Sequence, residues 1–488
     1  MLRKEFHFII AICPHRVGSR IKENRDMANN CAVILAGGEG TRMKSKKPKV
    51  MAELIFKPMI DRVIEAAVNA GIEDVCVVTG YRAEVLEQHL AGRAKTVRQE
   101  QRLGTGHAVM QAAGFIQEHS GGNVLILAGD APFMDSKTIR EALEAHVNNR
   151  FVQTVISAKV DDPFGYGRIV RDSDGNFTAI VEQASADEDT QKIREINSGA
   201  MWFDADTLCG LLQKIDNKNS KGEYYLTDTV SIALSQGLRV GAYTADNADA
   251  VLGANTRLQL HELNEILRKK TLEKLMLDGV SIPCTESVII DPDVKVAPDT
   301  VILPGTIIKE GCEIGEDCVI GPNTVLYKTK VGDGVTLNAV QAEEAVVKDG
   351  ANLGPFVHLR PNTVIGEHVH CGNFVEVKNS VIDHHTSVSH LTYVGDSDVG
   401  SGVNFGCGVV TVNFNGKTKN RCTIGNDAFI GCNTNLIAPV TIGDRAYTAA
   451  GSTITDDVPS DALSIARERQ TNKEGWVREK KPYREKKY

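Results

Sequence analysis

Aliphatic residues recur at every sixth position in the C-terminal part of the chain, from Val288 to Ile454. The positions that follow this count are Ile290, Val296, Ile302, Ile308, Ile314, Ile320, Leu326, Leu353, Leu359, Ile365, Cys371, Val377, Ile424, Ile430, Leu436, Ile442, Thr448 and Ile454. A period of six matches neither an α-helix nor a simple strand. It is typical of a β-helix, in which each hexad forms a short strand and a turn, and three hexads close one coil.

Two other positions of the hexad are restricted as well. Glycine follows many of the aliphatic residues, as at Gly315 and Gly443, and is expected to permit a tight corner. Four places after the aliphatic residue lies a small or β-branched one, and Cys312 and Cys318 fall there. Small side chains filling a narrow prism agree with an aromatic content of only 5%.

An alternation of apolar strands and helices predicts a different fold for residues 29–254. Cys31–Ala36 reads as a buried strand, and the pattern continues with a helix over 61–70 and strands over 75–79 and 124–128. This order predicts a doubly wound, Rossmann-like α/β sheet. Ligands of such sheets bind beyond the carboxyl ends of the strands.

Two glycine loops are expected at that edge of the sheet. Gly37–Gly40 follows the first strand, and Gly104–Gly106 precedes a helix. Loops of this kind can hold phosphate groups, although neither has the spacing of a dinucleotide fingerprint or a P-loop. Lys49 is a candidate phosphate-binding cation or a surface lysine. Asp130, at a strand tip, is either a Mg²⁺ ligand or a helix N-cap.

Polar residues interrupt the aliphatic pattern within the predicted β-helix. His390 is accompanied there by a carboxylate, two cations, a tyrosine and an asparagine, and an insertion near 413–419 leaves the sixfold count. An isolated histidine on a repeat is usually structural. Among such groups it is instead a candidate general base, because a pKa of about 6.5 suits proton removal at neutral pH.

The order of these polar motifs is similar to that of a known family. The motifs are Gly38–Met43 with Pro48-Lys49, Gln99 with Gly104–Ala108, Gly129-Asp130, Gly165–Ile169, Glu195–Asn197 and Glu223–Asp228. They resemble the bifunctional bacterial N-acetylglucosamine-1-phosphate uridyltransferase / glucosamine-1-phosphate N-acetyltransferase family. The resemblance implies a Rossmann-like nucleotidyltransferase domain followed by a left-handed parallel β-helix of hexapeptide repeats.

The resemblance also implies roles for residues of the first domain. The phosphate of N-acetylglucosamine 1-phosphate would attack the α-phosphorus of UTP, with Lys49 as a catalytic cation and Mg²⁺ held by Asp130 and Asn255. The other residues implied to contact the nucleotide and the sugar are Leu35, Gly37, Gly38, Gln99, Gly104, Thr105, Gly167, Glu182, Asn197 and Thr227.

For the second domain, the resemblance implies acetyl transfer from acetyl-CoA to glucosamine 1-phosphate. His390 would be the general base and Glu376 its orienting carboxylate. The residues implied to bind the sugar phosphate are Arg360, Lys378, Tyr393 and Asn404. The residues implied to contact acetyl-CoA are Asn413, Phe414, Cys432, Ala450 and Arg467. Members of the family share this site between protomers, and the segment 470–476 fits the part that completes it.

The resulting domain prediction has five segments. They are an extension over 1–28, a uridyltransferase domain over 29–254, a linker helix over 255–281, an acetyltransferase β-helix over 282–465 and a tail over 466–488. The extension is interpreted as disordered, or as the product of a start codon upstream of Met27. Its basic start and short apolar stretch also leave export open.

Charge and hydropathy argue against nucleic acids and membranes as partners. A net charge of −8 over 488 residues argues against nucleic-acid coating, and no apolar run approaches the ~18 residues of a membrane span. Eleven cysteines without a C-x-x-C pair favour the cytoplasm. The prism resembles β-helices that form homotrimers. A single-activity sugar-nucleotide pyrophosphorylase with a structural β-helix, and a non-catalytic scaffold, remain open alternatives.

Overall fold

The computed structural model describes residues 29–219 and 221–480, which belong to two compact units, Met1–Ile266 and Leu267–Tyr488. The predicted extension over 1–28 and the end of the predicted tail, 481–488, lie outside the described residues. The division falls within the helix predicted over 255–281. No helix of the described ranges is long and apolar enough to cross a membrane.

A mixed sheet forms the centre of the first unit. The strands of this unit are β1 Cys31–Leu35, β2 Glu53–Leu54, β3 Lys57–Pro58, β4 Asp74–Thr79, β5 Lys95–Arg98, β6 Asn123–Ala128, β7 Gln153–Lys159, β8 Arg168–Arg171, β9 Phe177–Val181, β10 Glu195–Asp204 and β11 Val240–Thr244. The main sheet has the order β11-β7-β10-β6-β1-β4-β5. β1 runs parallel to β4 and β6, whereas β10 is antiparallel to β6 and β7. The predicted Rossmann-like domain is confirmed, and the reversal of β10 is a feature that the pattern did not predict.

Helices cover both sides of this sheet. The helices that pack on it are α1 Met59–Asn69, α2 Ala83–Leu90, α3 Thr105–Gln111, α4 Ala113–Gln117, α5 Ser136–Asn148, α7 Ala205–Leu212 and α8 Asp228–Ser235. Two further helices are α6 Glu188–Gln191, which buries no residue, and α9 Arg257–Leu277, which continues into the second unit. Alternate residues of β1 enter different cores: Ile34 packs in one cluster and Val33 in the other. The strand is apolar at every position because both of its faces are covered.

Short parallel strands form the second unit, and they stack into three faces. Face one contains β12 Ile289–Ile290, β15 Ile307–Ile308, β18 Val325–Tyr327, β21 Val340–Glu343, β24 Val357–Leu359, β27 Val375–Lys378, β30 Tyr393–Gly395, β33 Val410–Val412, β36 Asn435–Ile437 and β39 Thr453–Ile454. Face two contains β13 Lys295–Val296, β16 Glu313–Ile314, β19 Lys330–Val331, β22 Ala345–Val347, β25 Thr363–Ile365, β28 Val381–Ile382, β31 Ser397–Val399, β34 Cys422–Ile424 and β37 Val440–Ile442. Face three contains β14 Val301–Ile302, β17 Val319–Ile320, β20 Thr336–Leu337, β23 Asn352–Leu353, β26 His370–Asn373, β29 Ser387–His390, β32 Asn404–Phe405, β35 Phe429–Ile430, β38 Tyr447–Thr448 and β40 Leu463–Ser464. A short helix, α10 Trp476–Lys480, lies near the end of the described chain.

The aliphatic residues of the sixfold pattern fill the axis of this prism. Ile308 pairs with Ile290 on the coil before it and with Leu326 on the coil after it. All three residues are fully buried, as are Leu359 and Val377. The predicted left-handed β-helix of hexapeptide repeats is confirmed.

The glycine after an inward aliphatic residue is needed for a reason other than the expected one. Gly315 does not have a left-handed backbone; the left-handed residue of this corner is Asp317, with a φ of 55°. A Cβ on Gly315 would instead lie 2.7 Å from the carbonyl oxygen of Gly332 on the next coil. Glycine is therefore required by the close approach of adjacent coils, not by the turn itself.

The predicted insertion is also present. Tyr393 pairs with Val410, but Val410 pairs with Asn435, so this coil is longer than its neighbours. The additional residues, 413–421, form a loop that a β-bridge between Phe414 and Lys419 closes. The loop projects from the prism without disturbing the register of the coils on either side.

The inward packing predicts different outcomes for two substitutions in neighbouring coils. Leu359→Ala removes a fully buried side chain. We expect it to lower the free energy of unfolding of the β-helix by ~2–5 kcal/mol, because lost transfer energy and a cavity both contribute. Val346→Ala, at an outward position that is 37% exposed, should change it by less than ~1 kcal/mol. Urea unfolding followed by circular dichroism measures both, and equal losses would contradict the assigned orientation.

Candidate functional site

A cavity of about 980 Å³ lies at the carboxyl ends of β1 and β6. The residues from the sequence prediction that line it are Leu35, Gly37, Gly38, Lys49, Gln99, Gly104, Thr105, Asp130, Glu182, Asn197 and Thr227. Gly167 and Asn255 lie just behind this lining. The Gly167 carbonyl accepts a hydrogen bond from Asn197 N at 2.8 Å, and Asn255 Oδ1 accepts one from Lys49 Nζ at 2.9 Å. The structure thus brings the predicted residues of the first domain together.

The first glycine loop packs against the stem of Lys49. Gly40 has a left-handed backbone with a φ of 61°, and a Cβ on it would lie 2.7 Å from Lys49 Cβ. Lys49 itself begins a short 3-10 turn after Pro48. The Lys49 ammonium donates to Asp130 Oδ2 and to Asn255 Oδ1. The loop and the turn together direct this cation to the edge of the sheet.

The second glycine loop is fastened to the segment that carries Thr227. Gly106 N donates to Tyr224 O at 2.8 Å, and Leu226 N donates to Thr105 Oγ1 at 3.0 Å. Gly104 has a φ of 104°, and a Cβ there would lie 2.6 Å from Tyr224 O. A side chain at this position would therefore push the loop away from the segment.

Gln99 connects the two glycine loops. Its side chain is buried, and its Nε2 donates to the Gly104 carbonyl at 3.0 Å. On the other side, a Cβ on Gly37 would lie 2.8 Å from Gln99 Oε1. The absence of a side chain at Gly37 is what lets this amide sit between the loops.

Positive charge lines the cavity at several points. Besides Lys49, the lining contains Arg102 and Lys221, neither of which the sequence reasoning selected. Arg102 lies inside the second motif between Gln99 and Gly104, and that position could have identified it. The cavity walls remove water from the Glu182 carboxyl and raise its pKa, and the charge of Lys221 opposes this effect. Three cations at one opening suit the binding of two anionic substrates.

The oxygen atoms of Asp130 and Asn255 fit a hard divalent cation. Both accept hydrogen bonds from the same ammonium group, so they converge on a single positive charge. A carboxylate and an amide oxygen are ligands that Mg²⁺ accepts, and it usually takes its remaining ligands from phosphate oxygens and water.

Three of the predicted sugar-phosphate residues, Arg360, Lys378 and Tyr393, lie along face one. Glu376 pairs with Tyr393 on the next coil, and Arg360 N donates to Val377 O at 2.9 Å, which places Arg360 beside Lys378. The insertion brings Lys419, which the sequence reasoning did not select, to the same place. The neighbouring Lys419 ammonium is the largest cause of a lowered pKa for Lys378, which indicates crowded positive charge.

His390 lies at a corner, where face three ends and face one begins. Gly408 N on the next coil donates to His390 O at 3.3 Å, and on a later coil Gly451 N donates to Cys432 O at 2.8 Å. Ala450, beside Gly451, belongs to the same corner. Arg467 Cδ lies 3.7 Å from the place a Cβ would take on Gly451. The predicted acetyl-CoA residues Cys432, Ala450 and Arg467 thus continue the line of corner residues that begins at His390. Asn404 lies on β32 of face three, and Asn413 and Phe414 begin the insertion.

The environment of Glu376 differs from the prediction. Glu376 Oε1 accepts a hydrogen bond from Arg360 Nη1 at 3.1 Å, and no contact between Glu376 and His390 occurs among the hydrogen bonds and ion pairs of residues 29–219 and 221–480. The register is the reason: Tyr393 lies beside Glu376, whereas His390 lies beside Asn373. Within one chain, the width of face one separates His390 from Lys378.

Comparison with known proteins agrees with both units. Residues 31–250 match the family model for nucleotidyl transferases, and residues 293–328 and 421–456 match the bacterial transferase hexapeptide (six repeats) model. The "Bifunctional protein GlmU" of Acetivibrio thermocellus is 46% identical over 456 residues, which are 93% of this chain and 99% of the relative. Proteins of the same name from Caldanaerobacter subterraneus subsp. tengcongensis and Clostridioides difficile are 47% and 42% identical, over 92% of this chain and 98% and 97% of theirs. The chain belongs to the GlmU family.

Membership of the GlmU family decides between the functions that the sequence left open. The chain is a bifunctional enzyme: its nucleotidyltransferase domain transfers a uridylyl group, and its hexapeptide domain transfers an acetyl group. Together the two reactions make UDP-N-acetylglucosamine. The alternatives of a structural β-helix and of a non-catalytic scaffold are thereby set aside.

A pair of glycine substitutions tests the geometry of the second loop. Gly104→Ala should reduce kcat/KM for uridylyl transfer roughly tenfold, because the new Cβ meets a backbone carbonyl and left-handed strain costs ~1–3 kcal/mol. Gly114→Ala is the control, since a Cβ at Gly114 meets no atom within 4 Å. Pyrophosphate release measures both variants. A normal rate for Gly104→Ala would show that the loop tolerates displacement.

Proposed function

We propose that uridylyl transfer takes place in the cavity at the carboxyl ends of β1 and β6. The observation that carries this proposal is the convergence of the Lys49 ammonium, the Asp130 carboxylate and the Asn255 amide oxygen beside the two glycine loops. In the reaction, the phosphate of N-acetylglucosamine 1-phosphate attacks the α-phosphorus of UTP, and pyrophosphate leaves. Charge spreads over the phosphoryl oxygens in the transition state, so preorganised positive groups accelerate the step.

The proposal assigns a role to each group of residues around this cavity. Lys49 offsets the charge of the phosphoryl group, and Arg102 and Lys221 draw the two anions together. The backbone of the two glycine loops and Gln99 hold the nucleotide, with Leu35 behind it. Mg²⁺, when bound by Asp130 and Asn255, supplies further positive charge at the phosphate oxygens.

The opposite wall binds the sugar in this proposal. The residues assigned to it are Gly167, Glu182, Asn197 and Thr227. A β-bulge between Asn197 and Met201 in β10 supports the assignment, because an irregular strand re-aims the side chains beside it. The close approach of Glu182 Oε1 to the Cβ position of Gly167, 3.3 Å, leaves little room for a larger residue there.

For the second reaction, we propose that face one binds glucosamine 1-phosphate. Arg360, Lys378 and Lys419 form a cation cluster that suits a phosphate dianion. Tyr393 on face one and Asn404 on the adjoining face three position the sugar. His390 removes a proton from the sugar ammonium, because only the neutral amine can attack the thioester of acetyl-CoA. Acetyl-CoA is assigned to the insertion residues Asn413 and Phe414 and to the corner residues Cys432, Ala450 and Arg467.

A homotrimer completes this second site in the proposal. Phe356, Phe374 and Leu391 line the corner beside His390, and they are 58%, 56% and 60% exposed. The rings of Phe356 and Phe374 stack at 5.1 Å. An exposed apolar ridge of this kind is typical of an interface, so a second copy of the chain covering it would also enclose His390. The cosubstrates UTP and acetyl-CoA support the cytoplasmic location expected from the sequence.

Lys49→Ala tests the first reaction. Loss of the cation should reduce kcat for UDP-N-acetylglucosamine formation at least ~100-fold, since charge stabilisation in the transition state is lost. Acetyl transfer should continue unchanged. The assay supplies UTP, N-acetylglucosamine 1-phosphate and Mg²⁺ and follows pyrophosphate. Lys159→Ala, at the exposed end of β7, is the matched control. A normal rate for Lys49→Ala would remove Lys49 from the mechanism.

His390→Ala tests the second reaction. Loss of the base should lower kcat for acetyl transfer ~10²–10⁴-fold while uridylyl transfer persists. The assay follows release of the CoA thiol from acetyl-CoA in the presence of glucosamine 1-phosphate. His370→Ala, exposed on the same face of the prism, should retain its activity. If both reactions failed together in His390→Ala, the two sites would not be independent.

A further inference from the structure

A buried carboxylate lies behind the polar residues of face one. Asp396 follows β30 and is only 4% exposed. Its Oδ1 accepts a hydrogen bond from Asn379 Nδ2, and its Oδ2 accepts one from Asn413 Nδ2 at 2.5 Å. A buried charge is costly unless hydrogen bonds satisfy it. The two amides therefore belong to a network that Asp396 organises.

The chemistry of a carboxylate decides the orientation of both amides. An ionised carboxylate only accepts hydrogen bonds, so Asn379 and Asn413 must turn their NH₂ groups toward Asp396. The amide oxygen of Asn413 then faces the other way. Asn413 Nδ2 also lies 3.3 Å from the hydroxyl oxygen of Tyr393. Tyr393 accepts at this contact, and its own proton remains available for another acceptor.

We propose that Asp396 is a positioning residue of the acetyl-transfer site: through Asn413 it makes Tyr393 a hydrogen-bond donor toward the oxygen atoms of the sugar phosphate. The inference rests on the proposed binding of glucosamine 1-phosphate at face one. Asp396 does not itself touch the substrate. It acts indirectly: its carboxylate accepts a hydrogen bond from the NH₂ group of Asn413, and that NH₂ group also donates to the hydroxyl oxygen of Tyr393.

The charge of Asp396 supports the same site. Its backbone N–H donates to the Lys378 carbonyl at 2.9 Å, so the two residues lie on adjacent coils. Lys419 and Arg360 lower the pKa of Lys378, and Asp396 acts in the opposite direction. Asp396 also contributes to the raised pKa of Arg421, after the larger effect of Asp398. The carboxylate thus favours the charged form of Lys378 beside the other cations.

A purely structural role makes a different prediction. Asp396 has a left-handed backbone with a φ of 48°, and Asn379 at the same corner of the preceding coil has a φ of 47°. Asparagine adopts this conformation at least as readily as aspartate. If the corner required only this backbone, Asp396→Asn would be harmless. If the carboxylate acceptor is required, Asp396→Asn places a new NH₂ group against the NH₂ groups of Asn379 and Asn413. The side chain of Asn413 is then free to rotate.

The test is a double-mutant cycle of Asp396→Asn and Tyr393→Phe, with KM for glucosamine 1-phosphate as the readout. Asp396→Asn alone should raise this KM about tenfold, the size of one charge-assisted hydrogen bond. In the Tyr393→Phe background the same change should alter KM less than about twofold, because the hydroxyl through which it acts is gone. Equal effects in both backgrounds, or an unchanged KM for the single variant, would overturn the proposal.

Controls separate this result from other causes. Asp317→Asn replaces an exposed aspartate at another left-handed corner and should leave KM unchanged. Uridylyl transfer by Asp396→Asn should equal that of the unsubstituted enzyme.

If Asp396→Asn does not fold, Asn413→Ala replaces it in the same double-mutant cycle. Asn413→Ala removes the amide between Asp396 and Tyr393 while Asp396 itself stays, so the same two outcomes apply. If the unsubstituted enzyme released no thiol with glucosamine 1-phosphate, the proposed function would fail; an active enzyme with an additive cycle would overturn only the inference.

Discussion

The in-register stacking of parallel coils is the constraint on which the second half of the molecule depends. Each coil repeats after about 18 residues, as from Ile289 to Ile307, and the inward aliphatic residues hold that register. Because the side chains of a strand alternate between its two faces, a shift of one residue would expose the axis and bury the polar face. The position of every functional side chain on the prism follows from this packing. Arg360 and Lys378 are neighbours only because Leu359 and Val377 are.

The cavity of the first domain depends on a different constraint, the close approach of backbone segments. Gly37 leaves room for Gln99, and Gly104 leaves room for Tyr224, so two loops far apart in sequence meet at one edge of the sheet. Backbone N–H groups in such loops are fixed donors for phosphate, and they need no reorganisation during the reaction. The cations Lys49, Arg102 and Lys221 then complete an opening suited to two anions.

On the prism, contacts with neighbouring side chains fix the orientation of the polar groups. The Glu376 carboxylate is engaged by Arg360, and Asp396 holds Asn413, which in turn reaches Tyr393. These contacts divide the face into a cation cluster and a hydrogen-bond chain of defined direction. The apolar ridge beside His390 remains exposed in a single chain. This agrees with a site that needs a neighbouring copy of the chain.

The sequence by itself determined the two folds and predicted the edge of the first sheet at which the glycine loops meet. The sixfold pattern was sufficient because a period of six has few structural solutions, and the glycine loops were sufficient because strand ends are where α/β sheets bind ligands. Only the tertiary structure decided which residues meet. The reversal of β10, the pairing of Glu376 with Arg360, and the arrival of Arg102, Lys221 and Lys419 at their sites depend on contacts between distant segments. Local periodicity carries no information about such contacts, because the register between strands arises from packing over the whole domain.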